Sequence, residues 1–296
     1  MLQHLNASPQ LPDRVVVLGA GGFVGAAISR RLADAGTHVA ALTRQDVDLQ
    51  SDGAGDKLAG VLKPSDTLVC VSAIAPVKNA QMLRDNLVLV EAMAQALNAQ
   101  PVAHVVNIGS DAVYADSMDP LGEGACASPG SLHGIMHLAR EVMLEDAAGD
   151  TPLASLRPTL IYGADDPHNG YGPNRFRRLA AEGQDIVLFG NGEEQRDHVW
   201  VEDVAELASR MVQHKSQGVL NAATGEVISF HDCAQLVAAH FDEAVEIKSS
   251  PRSGPMPHNG YRPFDPAQTG KAFPDFGYTR PADGFAKVHA QVRDKG

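Results

Sequence analysis

The chain has 296 residues, of which 44% are hydrophobic and 20% are charged, and its formal net charge is −12 at pH 7. This composition is that of a globular protein with a sizeable core. The acidic balance argues against a nucleic acid as partner, because phosphate backbones are bound by basic surfaces. The chain contains no run of about twenty apolar residues that could cross a bilayer, so no membrane partner is expected.

Residues 1–13 lack the basic start and the apolar segment of an export signal, and they are predicted to form a flexible tail. Three cysteines, Cys70, Cys126 and Cys233, are scattered without the spacing of a metal site or a disulfide framework. Buried thiols in a reducing compartment fit this pattern best. We therefore expect a cytoplasmic protein.

Residues 14–25 predict a strand, a tight turn and the start of a helix. Four apolar residues, 15–18, lead into three glycines at three-residue intervals, and an amphipathic run follows. Glycine lets the backbone approach a pyrophosphate, and the first helical turn offers unpaired N–H groups to the anion. A turn that only lets helix and strand pack closely is the alternative. The cofactor-binding residues predicted here are Gly19, Gly22, Phe23, Val24 and Gly25.

The tip of the second predicted strand, residues 38–42, bears on the choice of dinucleotide. An acidic residue at this tip hydrogen-bonds the adenosine ribose of NAD, whereas an arginine nearby accommodates the extra phosphate of NADP. The tip here is Thr43-Arg44, which favours NADP, and Asp46 would favour NAD if the loop folds back. The predicted cofactor is therefore NADP or NAD, with Thr43 and Arg44 at its adenosine end.

Further strands and helices alternate along the chain. Residues 66–75 predict a buried strand that ends in small residues such as Ala73, where backbone passes near the cofactor. A helix over residues 80–97 contains Asn86, and residues 104–108 form the next strand. Alternation of this kind predicts a parallel sheet wound on both faces, with ligands at the carboxyl ends of the strands. Ala73 and Asn86 are included among the predicted cofactor contacts.

The chain resembles the extended short-chain dehydrogenases/reductases, and within them the sugar-nucleotide epimerases, dehydratases and reductases. The resemblance covers residues 15 to about 288. It implies an α/β fold, with a Rossmann domain over 14–163 and a smaller substrate lobe over 164–296 that is interleaved with late Rossmann elements. It also implies NAD or NADP, a nucleotide-linked sugar as substrate, and a homodimer. Besides the glycine turn, the motifs that carry it are SDAVY (110–114), Arg157-Pro158, IYG (161–163), FGNGEEQRDHVWVED (189–203) and NAATG (221–225).

The family's acid/base pair is a tyrosine and a lysine four residues apart on a helix, preceded by a serine or threonine at a strand end. The resemblance places this serine at Ser110, while His133 and His137 stand at the tyrosine and lysine positions. A tyrosine needs a cation to lower its pKa from about 10, whereas an imidazole titrates near 6.5 unaided. We therefore predict His133 as proton donor and acceptor. His137, on the same helix face, is predicted to bond a ribose hydroxyl of the cofactor.

Two alternatives compete at the histidine pair. A zinc-protease pattern would require glutamate directly after His133, but Gly134 stands there, so no metal is expected. The other alternative is a catalytically decayed protein that binds dinucleotide as a regulator or scaffold. Asp111 matches the general acid of dehydratases in the family, but Ala112 stands where those enzymes have glutamate, which disfavours dehydration.

The second half of the chain supplies the predicted substrate contacts. Residues 165–178 predict a polar, glycine-rich loop, either a wall of a sugar pocket or a solvated loop. The resemblance places Arg196 and Arg262 where the family binds a nucleotide diphosphate, and a planar guanidinium suits bidentate phosphate contact. The sequence leaves open the sugar and the choice among reduction, oxidation and epimerisation. The predicted substrate-binding residues are Ser110, Asp111, Asn174, Arg196 and Arg262.

Overall fold

A computed structural model of the chain describes residues 1–242 and 245–294, and these ranges contain thirteen strands, nine α-helices and two 3-10 turns. The strands are β1 (Gln3–His4), β2 (Val15–Leu18), β3 (Val39–Leu42), β4 (Thr67–Cys70), β5 (His104–Ile108), β6 (Leu153–Pro158), β7 (Leu160–Tyr162), β8 (Ile186–Phe189), β9 (Gln195–Trp200), β10 (Ser216–Ala222), β11 (Val227–Ser229), β12 (Ile247–Ser250) and β13 (Tyr261–Arg262). The helices are α1 (Phe23–Asp34), α2 (Ala54–Ala59), α3 (Ala80–Ala99), α4 (Leu132–Ala148), α5 (Pro173–Ala181), α6 (Val201–Gln213), α7 (Phe230–Ala238), α8 (Ala267–Ala272) and α9 (Pro281–Arg293). The 3-10 turns are Asp111–Val113 and Pro257–Gly260.

The centre of the fold is a seven-stranded sheet in the order β1-β10-β6-β5-β4-β2-β3. All neighbouring strands are parallel except β1, which pairs antiparallel with β10. Strands β2 and β4 are buried along their whole length and consist almost entirely of apolar residues, as parallel strands covered on both faces require. The predicted doubly wound α/β sheet is thus confirmed.

Helices cover both faces of the sheet and build two hydrophobic cores. On one face α1 packs against α6, and on the other α2, α3 and α4 form a continuous layer. Helix α3 begins where the Asn79 side chain accepts a hydrogen bond from the Met82 N–H. No helix within the described ranges is both long and apolar enough for a bilayer crossing.

A smaller lobe is built from strands β7 to β9 and β11 to β13 together with α5, α7 and α9. Its core is aromatic: Tyr162 and Phe285 meet edge to face at 4.9 Å, and Phe176 and Phe230 lie close by. Helix α6 and strand β10, although late in the sequence, belong to the large sheet layer. One cleft is lined by residues of both parts, and it contains the candidate site.

The prediction of a flexible tail is wrong for residues 2–10. Strand β1 pairs with Ser216 and Gln217, and the His4 imidazole contacts Ser216 Oγ at 2.8 Å and the Ala272 carbonyl at 3.0 Å. Leu2 is only 7% exposed, and the Gln10 N–H bonds the Gln213 carbonyl. A two-residue strand carries no readable periodicity, so only its partner in the folded chain shows where this segment goes.

His104, at the start of β5, should make the fold sensitive to acid. Its imidazole is 1% exposed and contacts the Ser216 carbonyl at 2.7 Å through Nε2, and burial lowers its pKa to about 4. Between pH 6.5 and 4 the unfolded chain therefore binds a proton that the folded chain does not, and stability falls as the pH falls. His104→Gln is expected to remove up to about 3 kcal/mol of this loss. The measurement is urea unfolding from pH 7 to pH 4.

The matched variant for this test is His38→Gln, which removes an exposed imidazole from the same protein. It controls for the loss of one imidazole at a surface position. Equal pH dependences for wild type and His104→Gln would contradict the assignment of this acid sensitivity to His104.

Candidate active site

The cleft lies at the carboxyl ends of the central strands and has a volume of about 1520 Å³. Ligands of open parallel sheets bind at this edge, where the strand order reverses. Two predicted site residues, Asn86 and Arg262, do not line it. The predicted residues that do line it are Gly19, Gly22, Phe23, Val24, Gly25, Thr43, Arg44, Ala73, Ser110, Asp111, His133, His137, Asn174 and Arg196.

The glycine turn brings helix α1 unusually close to strand β2. A Cβ at Gly25 would lie 2.1 Å from the Gly19 carbonyl oxygen, so only glycine fits there. Gly22 is the N-cap of α1 and offers no side chain to its first turn. The unpaired N–H groups of that turn are therefore open to an anion in the cleft. This geometry fits the diphosphate of a dinucleotide.

The end of β3 lacks an acidic residue directly at the strand tip, where one would bond the adenosine ribose of NAD. Asp46 Oδ2 accepts hydrogen bonds from both the N–H and the hydroxyl of Thr43, each at 2.8 Å, and Asp46 does not line the cleft. Arg44 does line it, with 74% of its side chain exposed and Asp48 Oδ2 at 3.2 Å from its Nε. A cation, Arg44, and an acceptor, Asp48, thus both line this part of the cleft.

Asn86 holds the loop that lines the cleft after β4. Strand β4 is shorter than predicted, and residues 71–76 form a loop along the cleft. The Asn86 amide accepts from the Ile74 N–H at 2.9 Å and donates to the Ile74 carbonyl at 3.0 Å. Because Asn86 is 1% exposed, direct contact with a cofactor is corrected to a role in holding the loop that contains Ala73.

Ser110 and Asp111 lie in the turn that follows β5. The Ser110 hydroxyl accepts from the Ala112 N–H at 3.1 Å and thereby caps the 3-10 turn. Asp111 is 7% exposed, and its carboxylate pairs with Arg262 at 2.9 Å. Asp111, which matches the general-acid position of dehydratases and is predicted to contact the substrate, is thus held in an ion pair at the cleft.

The two histidines of α4 contact each other at the cleft wall. Their rings meet edge to face with centroids 4.7 Å apart, and the helix is capped by Ser131, whose Oγ accepts from the Gly134 N–H. His133 is half-buried, and the Val77 N–H donates to its Nδ1 over 3.5 Å. Burial lowers the pKa of His133, and the nearby Asp111 carboxylate opposes this shift. Burial also sets the pKa of His137 well below its ordinary value.

Arg196 and Arg262 occupy paired positions on strands β9 and β13, but their side chains have different surroundings. Arg196 lines the cleft, with 11% of its side chain exposed and Glu194 at 3.2 Å. Arg262 is 1% exposed, and its guanidinium bonds the carboxylates of Asp111 and Asp116. The predicted phosphate contact of Arg262 is therefore corrected to an internal ion pair that fixes the Asp111 turn.

The loop before α5 forms a wall of the cleft. Asn174, at the second residue of α5, donates its amide N–H to Asp166 and accepts from the Gly163 N–H at 3.4 Å. It is 6% exposed, and residues 166–168 and 170–173 also line the cleft. This wall is built as the pocket interpretation expects.

Sequence reasoning missed Arg140 and His258. Arg140 lies one turn behind His137 on α4 and is 1% exposed. His258 lines the cleft and contacts Asp116 Oδ1 at 2.5 Å through Nδ1. The available signal for Arg140 was its spacing, seven residues after His133, which places both on one side of α4 together with His137. Within the described residues no group of three or more histidine, cysteine or carboxylate side chains is arranged to hold a metal ion.

Comparison with known proteins assigns the chain to a family. A curated relative, dTDP-L-rhamnose 4-epimerase of Burkholderia thailandensis, is 24% identical over 87% of this chain and 89% of its own. UDP-glucose 4-epimerase of Thermus thermophilus, solved with NAD, superimposes with a TM-score of 0.79 at 22% identity over 95% of this chain and 99% of its own. RMD of Pseudomonas aeruginosa, solved with NADPH, gives a TM-score of 0.83 at 20% identity over 96% and 100%.

The sequence profile of the NAD dependent epimerase/dehydratase family matches residues 15–223, which run from the first strand of the glycine turn through β10. This match covers more than two thirds of the chain, and the solved structures share its fold along nearly its whole length. The chain belongs to the NAD dependent epimerase/dehydratase family, which is a family of enzymes.

Proposed function

We propose that this chain is an NAD- or NADP-dependent epimerase or oxidoreductase acting on a nucleotide-linked sugar, with His133 moving the proton. One observation carries the proposal: the His133 imidazole and the Ser110 hydroxyl line the same cleft as the start of α1. The titratable group and the hydroxyl that this chemistry needs thus face the space where the glycine turn can bind a dinucleotide.

The residues that would bind the cofactor are spread along the cleft. The N–H groups at the start of α1 suit its diphosphate, and His137 suits a ribose hydroxyl. Arg44 suits the extra phosphate of NADP, and Asp46 is bonded to Thr43 and absent from the cleft wall, while Asp48 on that wall pairs with Arg44 and is an acceptor for a ribose hydroxyl of NAD. When bound, the nicotinamide exchanges a hydride with a sugar carbon.

His133 and Ser110 would act on the oxygen of that sugar carbon. With the Val77 N–H donating to Nδ1 of His133, its Nε2 has no protein partner in the part of the chain that the structure describes. To take the hydroxyl proton on oxidation and return it on reduction, Nε2 must carry the lone pair, so the neutral ring must hold its hydrogen on Nδ1 and give up the long contact from the Val77 N–H. The Ser110 hydroxyl, held by the Ala112 N–H, orients the same oxygen.

The phosphate end of the substrate would meet Arg196. This guanidinium lines the same cleft as Asn174, and a guanidinium can bind two phosphate oxygens at once. Arg262 is engaged with Asp111 and supports the site from within. We therefore assign substrate contact to Arg196, Asn174 and Ser110.

Compartment and assembly belong to the same proposal. The free thiols of Cys70, Cys126 and Cys233 suit a reducing cytoplasm. The outer faces of α3 and α4 expose the apolar side chains of Val88 (44%) and Val142 (58%), which suits a homodimer through these helices.

The test is turnover with a panel of UDP-, dTDP- and GDP-linked sugars in the presence of NAD or NADP. Nicotinamide absorbance reports net oxidation or reduction, and NMR of the sugar product reports epimerisation without net redox change. We expect conversion of at least one substrate, and Arg196→Ala should raise its KM. Tight dinucleotide binding without turnover across the panel is the result expected of a regulatory or scaffold protein, and it would overturn the proposal.

A further inference from the structure

Arg140 is a fully buried cation that forms no ion pair with a carboxylate in the part of the chain that the structure describes. Its Nε donates to Asn107 Oδ1 at 2.6 Å, its Nη1 to the Ser72 carbonyl at 2.5 Å and its Nη2 to the Cys70 carbonyl at 2.6 Å. The adjacent Glu141 carboxylate is already paired with Arg157. A buried charge that meets only neutral acceptors is costly, so its place in the fold requires a reason.

The position of Arg140 supplies that reason. His133, His137 and Arg140 are spaced four and three residues apart, so they form one stripe along α4. His133 is half-buried at the cleft, His137 is 6% exposed and in ring contact with it, and Arg140 lies deepest at 1% exposed. The Asp111 carboxylate, by contrast, lies on the cleft side of the stripe. A fixed positive charge therefore lies behind the histidine pair and a negative charge in front of it.

This charge order determines where a proton can reside. An arginine stays protonated in proteins, so its charge opposes an imidazolium at His137. Burial lowers the pKa of His137 most, and the charges of His133 and Arg140 lower it further. At His133 burial also lowers the pKa, but Asp111 raises it. Environments that push two neighbouring pKa values apart assign different roles to the two groups.

We propose that Arg140 is a positioning residue that keeps the proton of the imidazole pair on His133. Its guanidinium fixes a positive charge behind His137, so that His137 stays neutral and any proton bound by the pair lies next to the substrate. The inference rests on the proposed role of His133 and adds to it the group that directs the proton. The site has thus kept a cation, moved three residues along the helix from the position where the resemblance expects a lysine.

The groups that can influence the pair come from four elements. The charge of Glu141 is compensated by Arg157, and that of Asp111 in part by Arg262. The Cys70 thiol is uncharged, because burial raises its pKa to about 11. The guanidinium of Arg140 lacks such compensation. The titratable and charged groups are Asp111 on the 3-10 turn, Arg140 and Glu141 on α4, Arg157 on β6 and Cys70 on β4.

The test is an NMR titration of the imidazole Cε1–H resonances in the full-length protein, assigned with His133→Gln and His137→Gln. On acidification of the wild type we expect His133 to bind a proton first while His137 keeps the shift of a neutral imidazole. In Arg140→Gln the midpoint of His137 should rise by about one pH unit or more. Arg140→Lys keeps the charge and loses hydrogen-bond donors, and it should keep the wild-type order.

The outcomes separate this inference from a purely structural role and from the proposed function. If Arg140 only ties α4 to the strand ends, Arg140→Lys and Arg140→Gln lose stability alike and neither shifts a midpoint, which would overturn the inference. Protonation of His137 before His133 in the wild type would also overturn it, and this measurement needs no variant to fold. The titration requires no substrate, so absence of turnover in the panel leaves its result interpretable.

Discussion

Replacing His133 by alanine should lower kcat/KM by roughly 10²- to 10⁴-fold, the contribution typical of a positioned acid or base. The dinucleotide should still bind, because the start of α1 and Arg44 are separate from this side chain in the cleft. The pH profile should change as well. Burial lowers the pKa of His133 below 6.5. The wild-type rate of sugar oxidation should therefore fall when the pH drops below this lowered pKa, because the base is then protonated. In the variant this acid limb should be lost.

Steady-state kinetics from pH 5 to pH 8, with dinucleotide titration followed by fluorescence, measure both effects. Imidazole added to His133→Ala should restore part of the rate if the missing group is a proton carrier. His38→Ala, at an exposed histidine before β3, is the matched control and should retain wild-type kinetics. Unchanged kcat/KM in His133→Ala, with an unchanged acid limb, would exclude His133 as the proton carrier.

Replacing Gly134 by alanine should damage both the fold and the site, although alanine is the better helix former. A Cβ at this position would lie 2.0 Å from the Ala112 carbonyl oxygen and 2.7 Å from Pro129 Cβ. Because the nearest obstacle is backbone, α4 and the 3-10 turn must move apart, and this overpacking should cost on the order of 3 kcal/mol. The same movement separates His133 from Ser110, and a displacement of about 1 Å can cost 10²-fold in rate.

Urea unfolding and kcat/KM measure these two losses independently. Gly270→Ala in α8 is the matched control, because a Cβ there meets nothing within 4 Å, and it should be neutral or slightly stabilising. Wild-type stability and activity in Gly134→Ala would show that helix α4 does not depend on this close approach for its position.

Much of the fold could be predicted because its signals are local. The apolar run before Gly19 and the glycine spacing predicted β2, the turn and α1, and the alternation of strands and helices predicted the parallel sheet. The predicted helix over residues 80–97 corresponds to α3, which ends at Ala99. The histidine pair was found from the family resemblance, which places it at the tyrosine and lysine positions, and the structure brings both histidines and Ser110 to the cleft.

The failures concern residues whose roles depend on distant partners. Asn86 and Arg262 were expected in the cleft, but one bonds Ile74 and the other pairs with Asp111, 151 positions away in the chain. The tail was expected to be loose, yet β1 pairs with a strand more than 200 residues later. Arg140 has no role in the sequence analysis, but in the structure its guanidinium bonds Asn107 on β5 and the Cys70 carbonyl at the end of β4.

The sequence by itself determined the dinucleotide turn, the order of strands and helices, and the place of two imidazoles where the family has a phenol and an ammonium. The first two depend on spacing over a few residues, which the chain displays directly, and the third follows from the family resemblance. Only the tertiary structure decided which charges face the cleft. The acceptors that folding places near a guanidinium determine whether it pairs within the protein or is available to a ligand. In the folded chain Arg262 is buried in an ion pair, Arg196 lines the cleft and Arg140 is buried behind the histidines.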